Sequence, residues 1–186
     1  MNLKEITLDE IELHEALLEE GASALVHTIL FLRAPNIVKP MDHVCERLAP
    51  LRYAKCGPSD VDEEVTAVVN ALRQSLTPVG PYLAKGMIIC SFFERRETKG
   101  FFGLVSNQEN VYFERWLIPV VVDQRSLSTP SGHNQHMTLG VEHERQCLFD
   151  TARDMVTNIH IPIYSFPPPF HYGTLFFSTT NDMVYE

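Results

Sequence analysis

Long apolar runs are absent from this sequence. No stretch of eighteen consecutive apolar residues occurs, so no transmembrane helix is expected. The opening residues 1–5 include no apolar core and already carry an acid, so a secretion signal is not expected either. The cysteines form no Cys-x-x-Cys pair, which is typical of reduced thiols in a cytosolic protein; they are Cys45, Cys56, Cys90 and Cys147.

Positive charge is also scarce. Lysine and arginine number 15 against 24 aspartates and glutamates, which gives a formal net charge of -9 at pH 7. A nucleic-acid-binding protein needs a basic surface to neutralise phosphates, so this class of function is not expected. With 45% hydrophobic and 21% charged residues, the composition is that of a folded globular protein. A length of 186 residues suits a single domain with its own core.

Catalytic motifs are missing as well. The sequence contains no Gly-x-Gly-x-x-Gly, Walker loop, Gly-x-Ser-x-Gly or His-Glu-x-x-His. The run Asp62-Glu63-Glu64 lies in the first turn of a predicted helix, where carboxylates face the helix dipole, so it is interpreted as a solvated surface. Cys90 lies within an apolar run and is predicted to be an inert core thiol. The protein is therefore expected to have no enzymatic activity and to need no cofactor.

What the sequence does contain is a pattern of alternating strands and helices. Apolar residues at steps of three and four predict helices, and short apolar or alternating runs predict strands. The order is a bent strand at 3–13, a helix at 17–32, short strands within 34–57, a helix at 59–76, strands at 87–94 and 111–122, a helix at 141–159, and strand-like pieces at 161–178. This order predicts an α+β domain with three helices on an antiparallel sheet.

Two residues of the predicted strand 111–122 carry further expectations. Pro119 has no N–H to donate to a ladder, so it predicts a bulge or an exposed edge at that point. Trp116, the sole tryptophan, is expected to lie in the core.

The connection between the two long predicted strands, residues 95–110, is long for a hairpin and includes an aromatic pair. Phe101 and Phe102 lie between Gly100 and Gly103, which free the backbone on both sides. Two interpretations are open. The loop folds back and buries both rings in the protein's own core, which is worth roughly 1.5–3 kcal/mol for each ring. Alternatively, the rings project and fill a pocket on another protein.

Histidines and one cysteine near the third predicted helix form a candidate metal site. His133 and His136 lie in a polar linker at 131–140, and His143 and Cys147 are four residues apart on one helical face. Together they would provide four zinc ligands. Solvated or core histidines are the alternative interpretation, and they are the favoured one because no second cysteine joins the group.

Several stretches in this order resemble one protein family. They are LVHTILFLR at 25–33, SDVDEEVTAVVNALRQ at 59–74, KGFFG at 99–103, YFERWLIPVVV at 112–122 and EHERQ at 142–146. Through them the chain resembles the autophagy-related protein 101 family, whose members are small HORMA-domain subunits of the autophagy-initiation kinase complex. The resemblance implies one HORMA-like domain over residues 1–186, with three helices packed on an antiparallel sheet.

The resemblance also implies partners and binding residues. Family members pair with and stabilise the HORMA domain of autophagy-related protein 13, which would place Arg145, Phe149 and Arg153 near a dimer interface. Their long loop carries an exposed Trp-and-Phe finger that recruits downstream autophagy factors. Phe101 and Phe102 lie at the matching positions, so this chain keeps two aromatic rings but lacks the tryptophan. An adaptor of this kind is expected in the cytoplasm and at the preautophagosomal structure.

The segment 161–186 is where other HORMA proteins carry a safety belt that closes over a peptide, and its prolines would stiffen it. A HORMA adaptor that captures peptides in checkpoint or meiotic signalling is therefore an alternative function. A zinc-binding protein using the four residues named above is a second alternative.

Overall fold

The computed structural model describes residues 3–33, 40–55, 59–99 and 106–125, together with 142–143, 145–147 and 149–150. Its main element is a five-stranded sheet, and helices cover one face of that sheet. Antiparallel pairing dominates the sheet, so the α+β prediction is confirmed.

The sheet is built around one long hairpin. Strands β6 (Leu83–Lys99) and β7 (Ser106–Asp123) pair antiparallel along their whole length. On the far side of β7, β1 (Lys4–Thr7) and β2 (Ile11–His14) both pair with it in parallel. On the other side, β5 (Thr77–Pro78) pairs with the first residues of β6. The strand predicted at 3–13 is confirmed, with its bend at residues 8–10.

Two helices follow the predicted apolar stripes. Helix α1 (Leu18–Arg33) follows one turn of 3-10 helix at Glu15–Leu17, where His14 Nδ1 accepts the Ala16 N–H at 3.1 Å. Helix α2 (Ser59–Ser75) ends just before Thr77-Pro78, as predicted. The described residues between 142 and 150 are also helical, as the third predicted helix requires.

A short hairpin of β3 (Met41–Val44) and β4 (Arg52–Lys55) lies between the helices in sequence and packs on α1. Its turn is held to the helix by one carboxylate. Three consecutive backbone N–H groups, of residues 46–48, donate to Glu20 at 3.0–3.1 Å. The irregular stretch predicted at 34–57 is thus a short two-stranded sheet within its described residues.

The core lies between the sheet and the helices. Alternate residues of β6 and β7 share the face toward the helices, among them Ile88, Cys90, Trp116, Ile118 and Val120, and all are buried. The helices contribute the residues of their predicted stripes, among them Leu25, Ile29, Val65, Val69 and Leu72. The predictions that Trp116 and Cys90 are core residues are confirmed. Burial raises the pKa of the Cys90 thiol to about 12, so the thiol is inert at neutral pH.

The sequence predicted a bulge or an exposed edge at Pro119. The bulge is absent, because Pro119 pairs regularly with Met87. The edge is present locally, because neither β1 nor β2 pairs with Pro119 on the other side of β7. The break is in the neighbouring strand instead, because β1 ends opposite Leu117 and β2 begins opposite Val120. The N–H of Leu8 donates to Leu117 O at 2.9 Å, so the backbone polar groups of Leu117 face β1 and β2. Every second residue of a strand directs its backbone polar groups to the same side, so the nitrogen of Pro119 also faces β1 and β2. Its missing N–H therefore falls where no strand pairs.

Among the residues described, no helix is both long and apolar enough to span a bilayer.

Gly86 sets how closely α2 approaches the sheet, and it provides a stability prediction. A Cβ at position 86 would lie 2.6 Å from Leu72 Cδ1 and 2.9 Å from Leu76 Cδ2. Because Leu72 is buried and has little room to move, we expect Gly86→Ala to lower the free energy of unfolding by about 1–3 kcal/mol in urea denaturation.

Gly80→Ala is the matched control. The nearest side-chain atom to a Cβ at position 80 is Leu83 Cβ at 3.9 Å, an ordinary contact, so a change within about 0.5 kcal/mol is expected. Equal losses at the two positions would contradict the close packing of α2 on β6.

Candidate functional site

The candidate site is the end of the long hairpin. From Phe93 to Lys99, β6 pairs only with Tyr112 to Ser106 of β7, because β1 begins opposite Glu114. Residues 93–99 and 106–112 therefore form a two-stranded ribbon that extends past the sheet among the residues described. The sequence predicted a loop at 95–110. That prediction is wrong, since only residues 100–105 connect the strands.

The physical reason for this difference is the polarity of the ribbon. Residues 94–99 and 106–110 are polar or charged, so this part of the ribbon lacks the apolar alternation that indicates a strand. Glu94 and Arg96 lie two residues apart on one face and form an ion pair at 3.2 Å. A charged run of this kind is typical of a loop in a globular domain, but here the backbone pairs with β7 in register. Phe101 and Phe102 belong to the connection and lie outside the described residues.

The root of the ribbon contains a bulge. Phe92 pairs with Glu114 and Phe93 pairs with Tyr112, so Phe113 is an extra residue on β7. A bulge bends and twists a strand pair at one point. On the ribbon side of it, the rings of Phe93 and Tyr112 pack with centroids 5.2 Å apart. On the sheet side, Phe92 packs against the core.

A buried carboxylate, that of Glu114, lies next to the bulge on β7. Glu114 is 1% exposed, and its two oxygens have different partners. Arg33, in the last turn of α1, forms a buried ion pair with Oε2, and Trp116 Nε1 donates to Oε1 at 2.7 Å. A buried charge is costly unless it is paired and hydrogen-bonded, and both conditions hold here. Nothing in the sequence indicated this network, because its partners are 81 residues apart.

The residues predicted for a dimer interface are only partly described. Phe149 is 45% exposed, whereas Cys147 packs against the core from the same helical stretch. Residues two apart on a helix point to nearly opposite sides, so the Phe149 side of this helix is the outer one. Arg145 pairs with Glu142 one turn earlier. Arg153 lies outside the described residues, and so do the linker 131–140 and the segment 161–186.

The zinc hypothesis gains no support from the described residues. His143 is exposed and Cys147 is half-buried, and His133 and His136 lie outside the described part of the chain. Within that part, no three His, Cys, Asp or Glu side chains are grouped as a metal ion would require.

A second charged cluster, built around the buried His27, joins α1, α2 and β4. His27 is 1% exposed, and its Nε2 lies 3.2 Å from Asp62 Oδ1. Lys55 Nζ lies 2.8 Å from the same carboxylate. The ring of Tyr53 stacks on His27 with centroids 5.6 Å apart, and His43 packs on Tyr53. Asp62 thus binds two partners, whereas the sequence predicted a solvated surface; Glu63 and Glu64 are exposed as predicted.

Burial dominates the electrostatics of His27. It lowers the pKa of His27 below the ordinary 6.5, although the hydrogen bond and charge of Asp62 act in the opposite direction. The hydrogen bond from Lys55 lowers the pKa of Asp62 below its usual range, so Asp62 is ionised at neutral pH. The cluster is a structural tether between elements, and it presents no group poised for catalysis.

This shift predicts a pH-dependent stability. As the pH falls below 6.5, the unfolded chain binds a proton on His27 before the folded chain does, so the free energy of unfolding decreases from about pH 7 to about pH 5. The stabilisation that Asp62 contributes is lost only at a lower pH, below about pH 4. We expect the His27→Leu variant to show a smaller decrease in the free energy of unfolding between about pH 7 and about pH 5, measured by urea denaturation at each pH. His143→Leu, which removes an exposed histidine, is the control and should leave the slope unchanged.

Two comparisons with known proteins bear on the site. A family model described as autophagy-related protein 101 matches residues 10–166. The protein named "Autophagy-related protein 101" from Arabidopsis thaliana is 28% identical over 141 residues, which cover 75% of this chain. The matched region spans 62% of that relative's length.

Proposed function

The chain belongs to the autophagy-related protein 101 family, and we propose that it is a non-catalytic adaptor of the autophagy-initiation kinase complex. In this proposal its HORMA-like domain pairs with and stabilises the HORMA domain of autophagy-related protein 13. Phe101 and Phe102 recruit downstream autophagy factors. The adaptor acts in the cytoplasm and at the preautophagosomal structure.

The observation that carries the proposal is the ribbon. Phe101 and Phe102 belong to the connection that closes the ribbon. Along the chain they are far from the core residues of the same two strands, since Ile88 and Trp116 lie on the sheet side of the bulge. The residues of the ribbon next to the connection, 94–99 and 106–110, are polar or charged. Two adjacent aromatic residues that follow such a stretch suit a hot spot in an interface.

Removing the two rings tests the finger. We expect Phe101→Ala/Phe102→Ala to leave the melting temperature within a few degrees of wild type and to leave the pairing with autophagy-related protein 13 intact. The affinity for downstream autophagy factors should fall by roughly 30-fold or more, which corresponds to the loss of a hot spot of at least about 2 kcal/mol. Recruitment of these factors in cells should fall with it.

Tyr82→Ala is the matched control, because Tyr82 is 56% exposed at the opposite end of β6. It should leave recruitment unchanged. A large drop in melting temperature for the double variant would show instead that the rings pack in the protein's own core.

Co-expression with the HORMA domain of autophagy-related protein 13, followed by size-exclusion chromatography, tests the pairing. We expect a one-to-one complex for the wild-type chain. Phe149→Asp should weaken it, because a charge would be buried where an exposed ring was available. Phe31→Asp, a comparable exposed phenylalanine on α1, is the control. Separate elution of the two wild-type proteins would contradict the pairing. Equal effects of the two substitutions would contradict the assignment of Phe149, and with it the proposed roles of Arg145 and Arg153.

Peptide capture in checkpoint or meiotic signalling is a second candidate, and one observation favours it. β5 covers only Ala84 and Lys85 of β6, so the rest of this edge of β6 has no strand beside it among the residues described. An open edge accepts an extended peptide through backbone hydrogen bonds. Affinity purification from cells separates the candidates, since one recovers autophagy proteins and the other checkpoint or meiotic proteins. Stoichiometric metal in the purified protein would favour the zinc alternative over both.

A further inference from the structure

We propose that Arg33, Glu114 and Trp116 form a positioning network that sets the direction in which the ribbon leaves the sheet. The inference deepens the proposed function, because it explains how the tip of the ribbon is held toward a partner. The hinge itself is measurable without any partner.

The first step of the argument is that the ribbon has one point where it can bend. β7 has neighbours on both sides from Glu114 onward, but before that residue it pairs with β6 alone in the described part of the chain. The bulge at Phe113 lies at this boundary. A two-stranded ribbon has no third strand to resist bending, and a bulge concentrates the bend in one place. The junction of Phe113 and Glu114 is therefore the hinge.

The second step is that a helix holds this hinge from the side. The Glu114 carboxylate reaches the Arg33 guanidinium at the end of α1. Both side chains are almost fully buried, at 2% and 4% exposure, so solvent screens the ion pair little. Trp116 fixes the other carboxylate oxygen through its indole N–H, so the carboxylate cannot rotate freely. The two contacts hold the Glu114 side chain in one rotamer, and this side chain joins the last turn of α1 to the root of the ribbon.

The third step is the length of the lever. From Phe93 to Lys99 the ribbon extends about 20 Å at about 3.3 Å per residue. A rotation of about 10° at the hinge would move its end by about 3.5 Å, well beyond the tolerance of about 0.5 Å that a binding site allows. A small loosening at Glu114 would therefore displace Lys99 and Ser106, the last described residues of the ribbon, without unfolding the domain.

Amide hydrogen exchange of the whole chain tests the network through Glu114→Gln. Glutamine keeps the size of the side chain and an oxygen for the Trp116 N–H, but it removes the charge that Arg33 binds. We expect exchange of the cross-strand hydrogen-bonded amides in 93–99 and 106–112 to accelerate at least 10-fold, while the amides of 65–75 in α2 exchange at wild-type rates.

Val69→Ala is the matched control, because Val69 is a buried core residue of α2 and belongs to neither the ribbon nor the network. It should raise exchange in α2 and the ribbon only through global unfolding. Ribbon exchange that stays at the wild-type rate in folded Glu114→Gln, or that changes in step with α2 as in Val69→Ala, overturns the inference.

Arg33→Lys provides a milder second variant should Glu114→Gln fail to fold. It keeps the positive charge but loses the planar guanidinium, so the same selective acceleration is expected. Unchanged ribbon exchange in this variant also overturns the inference. The outcome is separable from that of the finger, because replacing Phe101 and Phe102 tests recruitment, whereas exchange tests only the hinge.

Discussion

The pairing of β6 with β7 is the interaction on which the rest of the structure depends. β1 and β2 add to the free side of β7, β5 adds to the start of β6, and both helices pack on the face that these two strands present. The same ladder continues beyond the sheet as the ribbon. One pair of strands thus provides the centre of the core at one end and the support of the candidate binding site at the other.

Glu114 is buried and Asp62 is partly exposed, and both take part in contacts between elements. Glu114 is held by Arg33 and Trp116, and Asp62 is held by Lys55 and His27, so each carboxylate links elements that are distant in sequence. The buried thiols of Cys45 and Cys90 have pKa values raised by burial to about 11 and about 12. Such groups neither attack nor transfer protons at neutral pH.

The apolar stripes of α1 and α2 made both helices predictable, since burial against a sheet demands apolar residues at steps of three and four. The buried halves of β6 and β7 were predictable for the same reason. The ribbon was not, because its charged residues interrupt the apolar pattern. The pairing of Glu94 and Arg96 with β7 instead continues the register of the apolar half of the strands. For Pro119 the sequence indicated a missing ladder hydrogen bond, but it could not show that the gap lies between β1 and β2 rather than at a bulge in β7. The binding roles of Phe101 and Phe102, and of Arg145, Phe149 and Arg153, remain predictions.

The parallel attachment of the first strands has a consequence for the order in which the chain folds. The hydrogen bond from His14 to the Arg125 carbonyl spans 111 residues, and the ion pair from Arg33 to Glu114 spans 81. Contacts this distant along the chain are slow to form, because a large loop must close before they contribute any stability. During synthesis β1 and β2 must therefore wait until β7 has emerged, so these strands take their native place only after more than 80 later residues have been made.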